Sequence, residues 1–425
     1  MSAIVPIASL FLFAIAVLIG VRQMALILML FRPACDRIFD IIKISTGQQM
    51  GPGAVLNYLV ILLAVIAIAH VPYILLTPII FAWGAFLVAA IASLLQSSDA
   101  SIGLRLFATL VTYGAAFCLP YALVRGRQQA ILFLKIALYS SAIPFAWSFV
   151  DLATAPSLVS EDYRLQSTFN HPNILAFYLV GVIALILFLL SSSMSKTSPS
   201  ARRLYLAYAG LLTVLLLFTK TRSAWISMAF IVIGYAVLVD RRWLFSLLCL
   251  PFALLIPGVS DRIFELNSGN IDAGYAQLNS YAWRKLLWTD TGEWMHANPS
   301  LIFGNGLDSY ASLAPLFFQK ADQAGGGIGA HNTLLQIYFE MGLFGIATFF
   351  MIFAALFYVL LAHLKNDYAG SIVMMLNCVG YLIVCISDNL LDYLQYQWFF
   401  WFSVGTVCAT KELSPRKVDE ISRRY

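Results

Sequence analysis

Apolar runs close to the ~20 residues that a helix needs to cross a bilayer recur from one end of this chain to the other. Within hydrocarbon a spanning segment must satisfy its own backbone N–H and C=O groups, so runs of this length read as helices. Their recurrence points to one helical bundle, not a soluble domain carrying an anchor. Of 425 residues, 61% are hydrophobic and 11% charged, where a soluble domain carries roughly a quarter charged residues. A soluble globule is thereby excluded.

The apolar runs fall at about 4–20, 57–75, 79–96, 105–124, 129–149, 173–192, 204–219, 223–239, 243–257, 335–362, 371–387 and 394–410. The expected fold class is an all-α polytopic membrane protein of about 12 transmembrane helices, one integral membrane domain over residues 1–425. No basic residue precedes the first apolar run, which favours a retained first helix over a cleaved signal peptide. No internal repeat is visible, so a transporter of two matching halves is not supported. The serine-rich stretch 191–200 reads as a flexible loop.

Cytoplasmic connections hold an excess of Lys and Arg. The tail with Lys411, Arg416, Lys417, Arg423 and Arg424 is therefore placed inside. Counting back brings Lys365, Arg241 with Arg242, Lys196 with Arg202 and Arg203, and Arg125 with Arg127 to the same side, with both termini cytoplasmic. Segments 21–56, 150–172, 220–222 and the long loop 258–334 then lie outside. They carry Arg32, Arg37, Lys43, Arg164, Lys220, Arg222, Arg262, Arg284, Lys285 and Lys320, many cations for the face that usually avoids them. An anionic partner outside explains them. Two alternatives stand beside it: pairing with Asp36, Asp40, Glu161, Asp162, Asp261, Glu265 and Asp290, or a further span near 21–44. The net charge of +5 is accounted for by basic cytoplasmic loops, and no nucleic-acid partner is expected. Cys118, Cys249, Cys378, Cys385 and Cys408 sit within apolar runs and only Cys35 lies outside them, so neither a disulfide framework nor a Cys-based metal site is implied. No metal-ligand spacing, phosphate-binding Gly-Lys motif or nucleophile elbow is present, and no cofactor is expected.

Candidate chemistry concentrates on the outer side. Thr219-Lys220-Thr221-Arg222-Ser223 joins two apolar runs with almost no loop, which sets Lys220 and Arg222 at the membrane boundary. The Arg fork suits phosphate, and a diphosphate at the surface would fit; the alternative is two helix-end cations reaching toward headgroups. Arg164 opens a stretch that ends Phe169-Asn170-His171-Pro172-Asn173 at the start of a span. His171 would there be a cap, a packing residue or a ligand at the positive helix end. Residues 280–288 read as a short amphipathic helix lying on the bilayer, with Trp283, Leu286 and Leu287 at helical spacing and Arg284 and Trp288 on one face, next to Lys285. Glycines 325, 326, 327 and 329 supply a pliable segment ahead of His331-Asn332. His331 stands just before a helix start, whose dipole keeps imidazole neutral, the form that takes a proton from a hydroxyl. Glu340, Asp388 and Asp392 are weaker candidates for orienting substrate or pairing with the arginines; His70 and His363 read as structural.

His331-Asn332, nine residues, Gly342, two residues and Gly345 resembles the His-Asn signature of the O-antigen ligase family, in which it follows the large periplasmic loop. The Thr-Lys-Thr-Arg222 corner, residues 169–173 and Gly304-Asn305-Gly306 are similar to the same superfamily of bacterial inner-membrane glycosyltransferases. The resemblance covers roughly residues 160–345 by motif. It implies a metal-independent enzyme that moves a preassembled glycan from undecaprenyl diphosphate to an acceptor at the periplasmic face. His331 would be the base, and Arg222 and Arg284, with Lys220, would hold the donor diphosphate; Lys285 or Arg262 stands as the alternative to Arg284. Arg164, His171, Asn332, Lys285 and Trp288 are further substrate-binding candidates. The first reading is a ligase whose acceptor is lipid A-core, the second an O-antigen or exopolysaccharide polymerase, and the third, of another class, a transporter of lipid-linked saccharide. Clustering of the basic residues on one face, with Lys135 the one clear mid-span cation, favours a one-sided active site over a transport path.

Overall fold

The computed structural model describes residues 18–35, 37–39, 52–155, 163–249, 251, 254, 256, 258–260, 280–318 and 328–412, and among these every regular element is helical. In chain order the α-helices are α1 (Val21–Phe31), α2 (Pro52–Ala69), α3 (Pro78–Leu94), α4 (Ala100–Leu123), α5 (Arg127–Tyr139), α6 (Ala142–Thr154), α7 (Pro172–Ser191), α8 (Pro199–Phe218), α9 (Arg222–Leu238), α10 (Ser280–Ala297), α11 (Ser309–Leu313), α12 (Thr333–Ala362), α13 (Tyr368–Cys385) and α14 (Leu394–Glu412). α4, α5 with α6, α7, α8, α12 and α13 are long and apolar enough to cross a membrane, and α2, α3 and α9 are shorter apolar helices.

Local chemistry sets the helix starts. Pro stands in the first turn of α3, α7 and α8, where its missing N–H costs nothing. Asp99, Ser198, Asn332 and Asp367 each accept a backbone N–H of the helix they precede, satisfying one of its orphan donors. α7 is apolar on all sides and buried from Asn173 through Leu189. A helix with no polar face belongs in the middle of a bundle, and α8, α13 and α14 surround it. Its N-terminus is thus held on a rigid axis.

α12 is two helical pieces joined at Gly342, whose φ of 64° and ψ of −161° are accessible to glycine and scarcely to other residues. The break frees backbone groups on both sides, and the 300–306 turn satisfies them. Asn305 and Gly306 N–H donate to the Phe339 and Glu340 carbonyls at 2.9 and 3.1 Å, while Leu343 and Phe344 N–H donate to the Leu301 and Ile302 carbonyls at 2.8 and 3.1 Å. Ser93 adds a 2.6 Å bond from its hydroxyl to the Glu340 carbonyl. A Cβ on Gly304 would lie 2.3 Å from that carbonyl. The Gly304-Asn305-Gly306 and Gly342 motifs therefore build a broken helix whose backbone stays satisfied by protein, the condition for irregular chain at membrane depth. Gln336 Nε2 donates to the buried Glu340 carboxyl at 3.2 Å, so Glu340 belongs to this joint.

The connections sort to two ends of the bundle. At one end Arg127 holds the Ser193 carbonyl, Asp367 accepts from the Ser192 hydroxyl and the Ser193 N–H, and Tyr235 lies beside Ser191, Arg202 and Asp240. At the other end residues 164–173, 219–222, 284–288, 331–333 and 387–393 meet.

Three expectations are corrected. Segment 21–56 is not wholly an outer connection: α1 packs on α2 and α5 with Met24, Ala25, Leu28 and Met29 buried, because its apolar side matches the bundle core. The run 243–257 opens as a 3-10 helix, from Arg241 to Cys249, and not as an α-helix. Helix α10 does not lie free on a bilayer. Leu287 is buried with Tyr310, Phe318, Ala330 and Phe339 in a small core between the loop and α12, against which Trp283, Trp288 and Trp294 pack. Lys43, Arg262, Lys320, Asp36, Asp40, Glu161, Asp162, Asp261, Glu265, glycines 325–327 and most of the first apolar run lie outside the described residues. Among the described residues Cys35, Cys118, Cys378, Cys385 and Cys408 form no disulfide.

Candidate functional site

Arg164 organises the site. Its Nε donates to the Thr219 carbonyl at 2.9 Å, and Nη2 donates to Asn173 Oδ1 at 2.5 Å and Thr221 Oγ1 at 2.9 Å. One guanidinium thereby ties the start of α7 to the α8–α9 corner. Lys220 at that corner has φ 51°, and His331 has φ 48°. Four non-glycine residues among those described adopt positive φ, and these two are both site candidates. Backbone held in this sparsely populated region clusters where geometry serves a site.

Asp388, between α13 and α14, closes the other wall and is buried. Its carboxylate accepts from Asn173 Nδ2 at 2.6 Å, the Tyr393 hydroxyl at 2.6 Å and the Asn389 N–H at 3.0 Å. Its backbone carbonyl accepts the Thr333 N–H and hydroxyl at 3.1 and 2.7 Å, fixing the start of α12. From the loop, Arg284 donates to the Ser387 carbonyl at 2.8 Å and the Trp288 indole to the Ala330 carbonyl at 2.8 Å.

Between these walls is a cleft of about 770 Å³. Arg164, Lys220, Arg222 and Arg284 line it against a single carboxylate, Asp388. Its remaining wall is apolar, formed by Ile226, Ile383 and Ile386. Ile226 and Ile386 are 60% and 53% exposed on the flank of α9 and α13. The cleft therefore offers a cationic pocket at the helix ends and an apolar exit along the bundle side, a shape suited to an anion carried on a hydrocarbon chain.

His331 does not line this cleft. It is bracketed by Ala330, which holds the cleft residue Trp288, and Thr333, which is bound to the cleft residue Asp388, and its ring meets Trp283 edge-on at 5.4 Å. Burial, aided by the Arg284 charge, pushes its imidazole below the ordinary range, against an opposing pull from Asp388. The ring is therefore neutral near pH 7 and able to accept a proton. Burial and Arg164 lower His171 in the same way. His171 is the N-cap of α7, its Nδ1 accepting the Asn173 N–H at 3.2 Å.

Among the sequence candidates, Arg222, Lys220, Arg284, Arg164 and Trp288 come together in the cleft, with His331 and His171 beside it. Asn332 caps α12, its Oδ1 accepting the Leu335 N–H at 3.0 Å, and Lys285 is exposed and does not line the cleft. Arg32 is buried between the Phe39 and Trp398 rings, and Arg37 pairs with Asp151 at 3.1 Å, so both anchor the outer segments to the bundle. Asn173, Asp388 and Tyr393 matter more than their sequence signals indicate. In the sequence Asp388, with Asp392, stands only as a weaker candidate. Among the described residues no three His, Cys, Asp or Glu side chains converge as a metal site requires.

The helical bundle thus gathers four cations at one end, in a cleft with an apolar flank and a neutral histidine beside it. Residues 207–350, which hold Lys220, Arg222, Arg284 and His331, match the O-antigen ligase family. No curated protein matches the chain. Arg164, His171, Asn173 and Asp388 fall outside the matched residues and complete the site from flanking helices.

Proposed function

We propose that the protein is an O-antigen ligase: it binds the diphosphate of an undecaprenyl-diphosphate-linked glycan in the cleft and transfers the glycan to lipid A-core at the periplasmic face of the inner membrane. The observation that carries this reading is the pairing of four cations with an apolar wall that opens along α9 and α13. A diphosphate fits the first and a polyprenyl chain the second. The basic connections at the opposite end of the bundle support placing that end in the cytoplasm and the cleft outside.

The chemistry needs no covalent intermediate. Neutral His331 takes the proton of the acceptor hydroxyl as its oxygen attacks the anomeric carbon. The bond from that carbon to the diphosphate breaks, and its electron pair leaves on the diphosphate oxygen. Arg222, Arg284, Lys220 and Arg164 stabilise that charge in a site partly screened from water. Direct displacement inverts the anomeric centre. Purified protein given undecaprenyl-diphosphate glycan with and without lipid A-core tests the reading. Glycan on the core, with inverted configuration, is the expected product; lengthening of the lipid-linked glycan would make the protein a polymerase, and retained configuration would exclude the single displacement.

A further inference from the structure

Asn173 and Asp388, bonded to each other, form one wall of the cleft. The next groups on that wall are Tyr393, whose hydroxyl binds Asp388, and His171, two residues before Asn173, with its ring nearly parallel to that of Tyr393 at 6.2 Å. His331 is close enough for its charge state to feel both Asp388 and His171. His171 thus adjoins the cleft wall and lies within electrostatic reach of the base.

The tautomer of His171 follows from its cap. Nδ1 accepts the Asn173 N–H, so its lone pair is engaged, and in the neutral ring the proton sits on Nε2. The side chain is exposed and held in one orientation by the cap and by Tyr393. It cannot act as a second base through Nε2, but it is a fixed N–H donor. We propose that His171 donates from Nε2 to a hydroxyl or ring-substituent oxygen of the donor's first sugar, the one bonded to the diphosphate, and so positions its anomeric carbon. This rests on the transferase reading of the cleft and adds the sugar subsite to it.

Substitutions can separate this role from capping. Ser at position 171 keeps a cap oxygen and removes the N–H donor, whereas Asn keeps a cap oxygen and an N–H. Binding of undecaprenyl-diphosphate glycan and of bare undecaprenyl diphosphate is measured for wild type, His171→Ser and His171→Asn, with thermal stability as a fold control. The glycan-bearing lipid is expected to bind about tenfold more weakly to His171→Ser, the loss of one hydrogen bond. The bare lipid should be unchanged, and His171→Asn should stay within about threefold of wild type. Equal affinity of His171→Ser and wild type for both lipids, equal weakening for both, or no preference of wild type for the glycan-bearing lipid would overturn the proposal. Wild type that binds as expected but transfers nothing to an acceptor contradicts the transferase reading and leaves the sugar contact standing.

Discussion

Asn173 Nδ2 donates to Asp388 Oδ2 at 2.6 Å across 215 residues of sequence. The same amide uses its oxygen to accept from Arg164 at 2.5 Å, so Arg164, Asn173 and Asp388 form one continuous chain across the floor of the cleft. Through it the first turn of the central helix α7 is bonded to the α8–α9 corner on one side and to the α13–α14 corner on the other. The cations that face the cleft are therefore mounted on buried, mutually bonded supports, and a charged group so held needs little reorganisation when a second charge develops near it.

Arg222→Gln and Lys220→Gln are each expected to weaken binding of undecaprenyl diphosphate by roughly thirtyfold, about 2 kcal/mol for a lost charge-assisted bond. Affinity for the polyprenyl chain without phosphate should stay unchanged, because the isoleucine wall is untouched. Titration of both lipids against each variant checks this.

The acid limb of the rate is expected to report His331, the base of the proposed mechanism. Its imidazole lies below the ordinary range of about 6.5 because of burial and the Arg284 charge, so neutral base persists to lower pH and the rate falls only as pH drops through that lowered value. Arg284→Gln removes an influence that lowers it and should move the limb to higher pH. Asp388→Asn removes an influence that raises it and should move the limb to lower pH. Rate profiles of glycan transfer between pH 4 and 8 provide the comparison.

Gly342→Ala is expected to destabilise the protein by ~3 kcal/mol, since alanine disfavours that backbone conformation and its Cβ would meet the Ile302 carbonyl at 2.4 Å. A fall in thermal midpoint with donor affinity retained in the surviving folded fraction is the predicted result.

The Asn332 side chain is a helix cap and not a reacting group. Asn332→Ala should cost about 1 kcal/mol of stability, and Asn332→Ser should recover most of it with transfer intact. Thermal unfolding and transfer rates of the two variants decide the matter.

The sequence made the bundle legible because spans advertise themselves: a helix such as α7 must be apolar throughout. It also pointed to Arg222, Lys220 and His331, which are conspicuous at the edges of apolar runs, and to Arg284 on the amphipathic stretch 280–288. The supports were harder to read. Asn173 and Asp388 look like ordinary polar residues at helix ends, and only the packing of α7 beside α13 brings them into contact. The amphipathic pattern of 280–288 is ambiguous for a related reason: a helix that buries Leu287 against the loop and α12 has the same spacing as one resting on lipid. Segment 243–257 is apolar without being α-helical through Cys249, and hydropathy does not distinguish those conformations.

In the proposed mechanism His331 is the base and takes no part in holding the donor. Glycan transfer to lipid A-core by His331→Gln, measured with donor binding on the same preparation, tests it most directly. Transfer reduced by roughly a hundredfold or more, with donor affinity within about twofold of wild type, is the predicted result. Transfer at the wild-type rate in His331→Gln would contradict it.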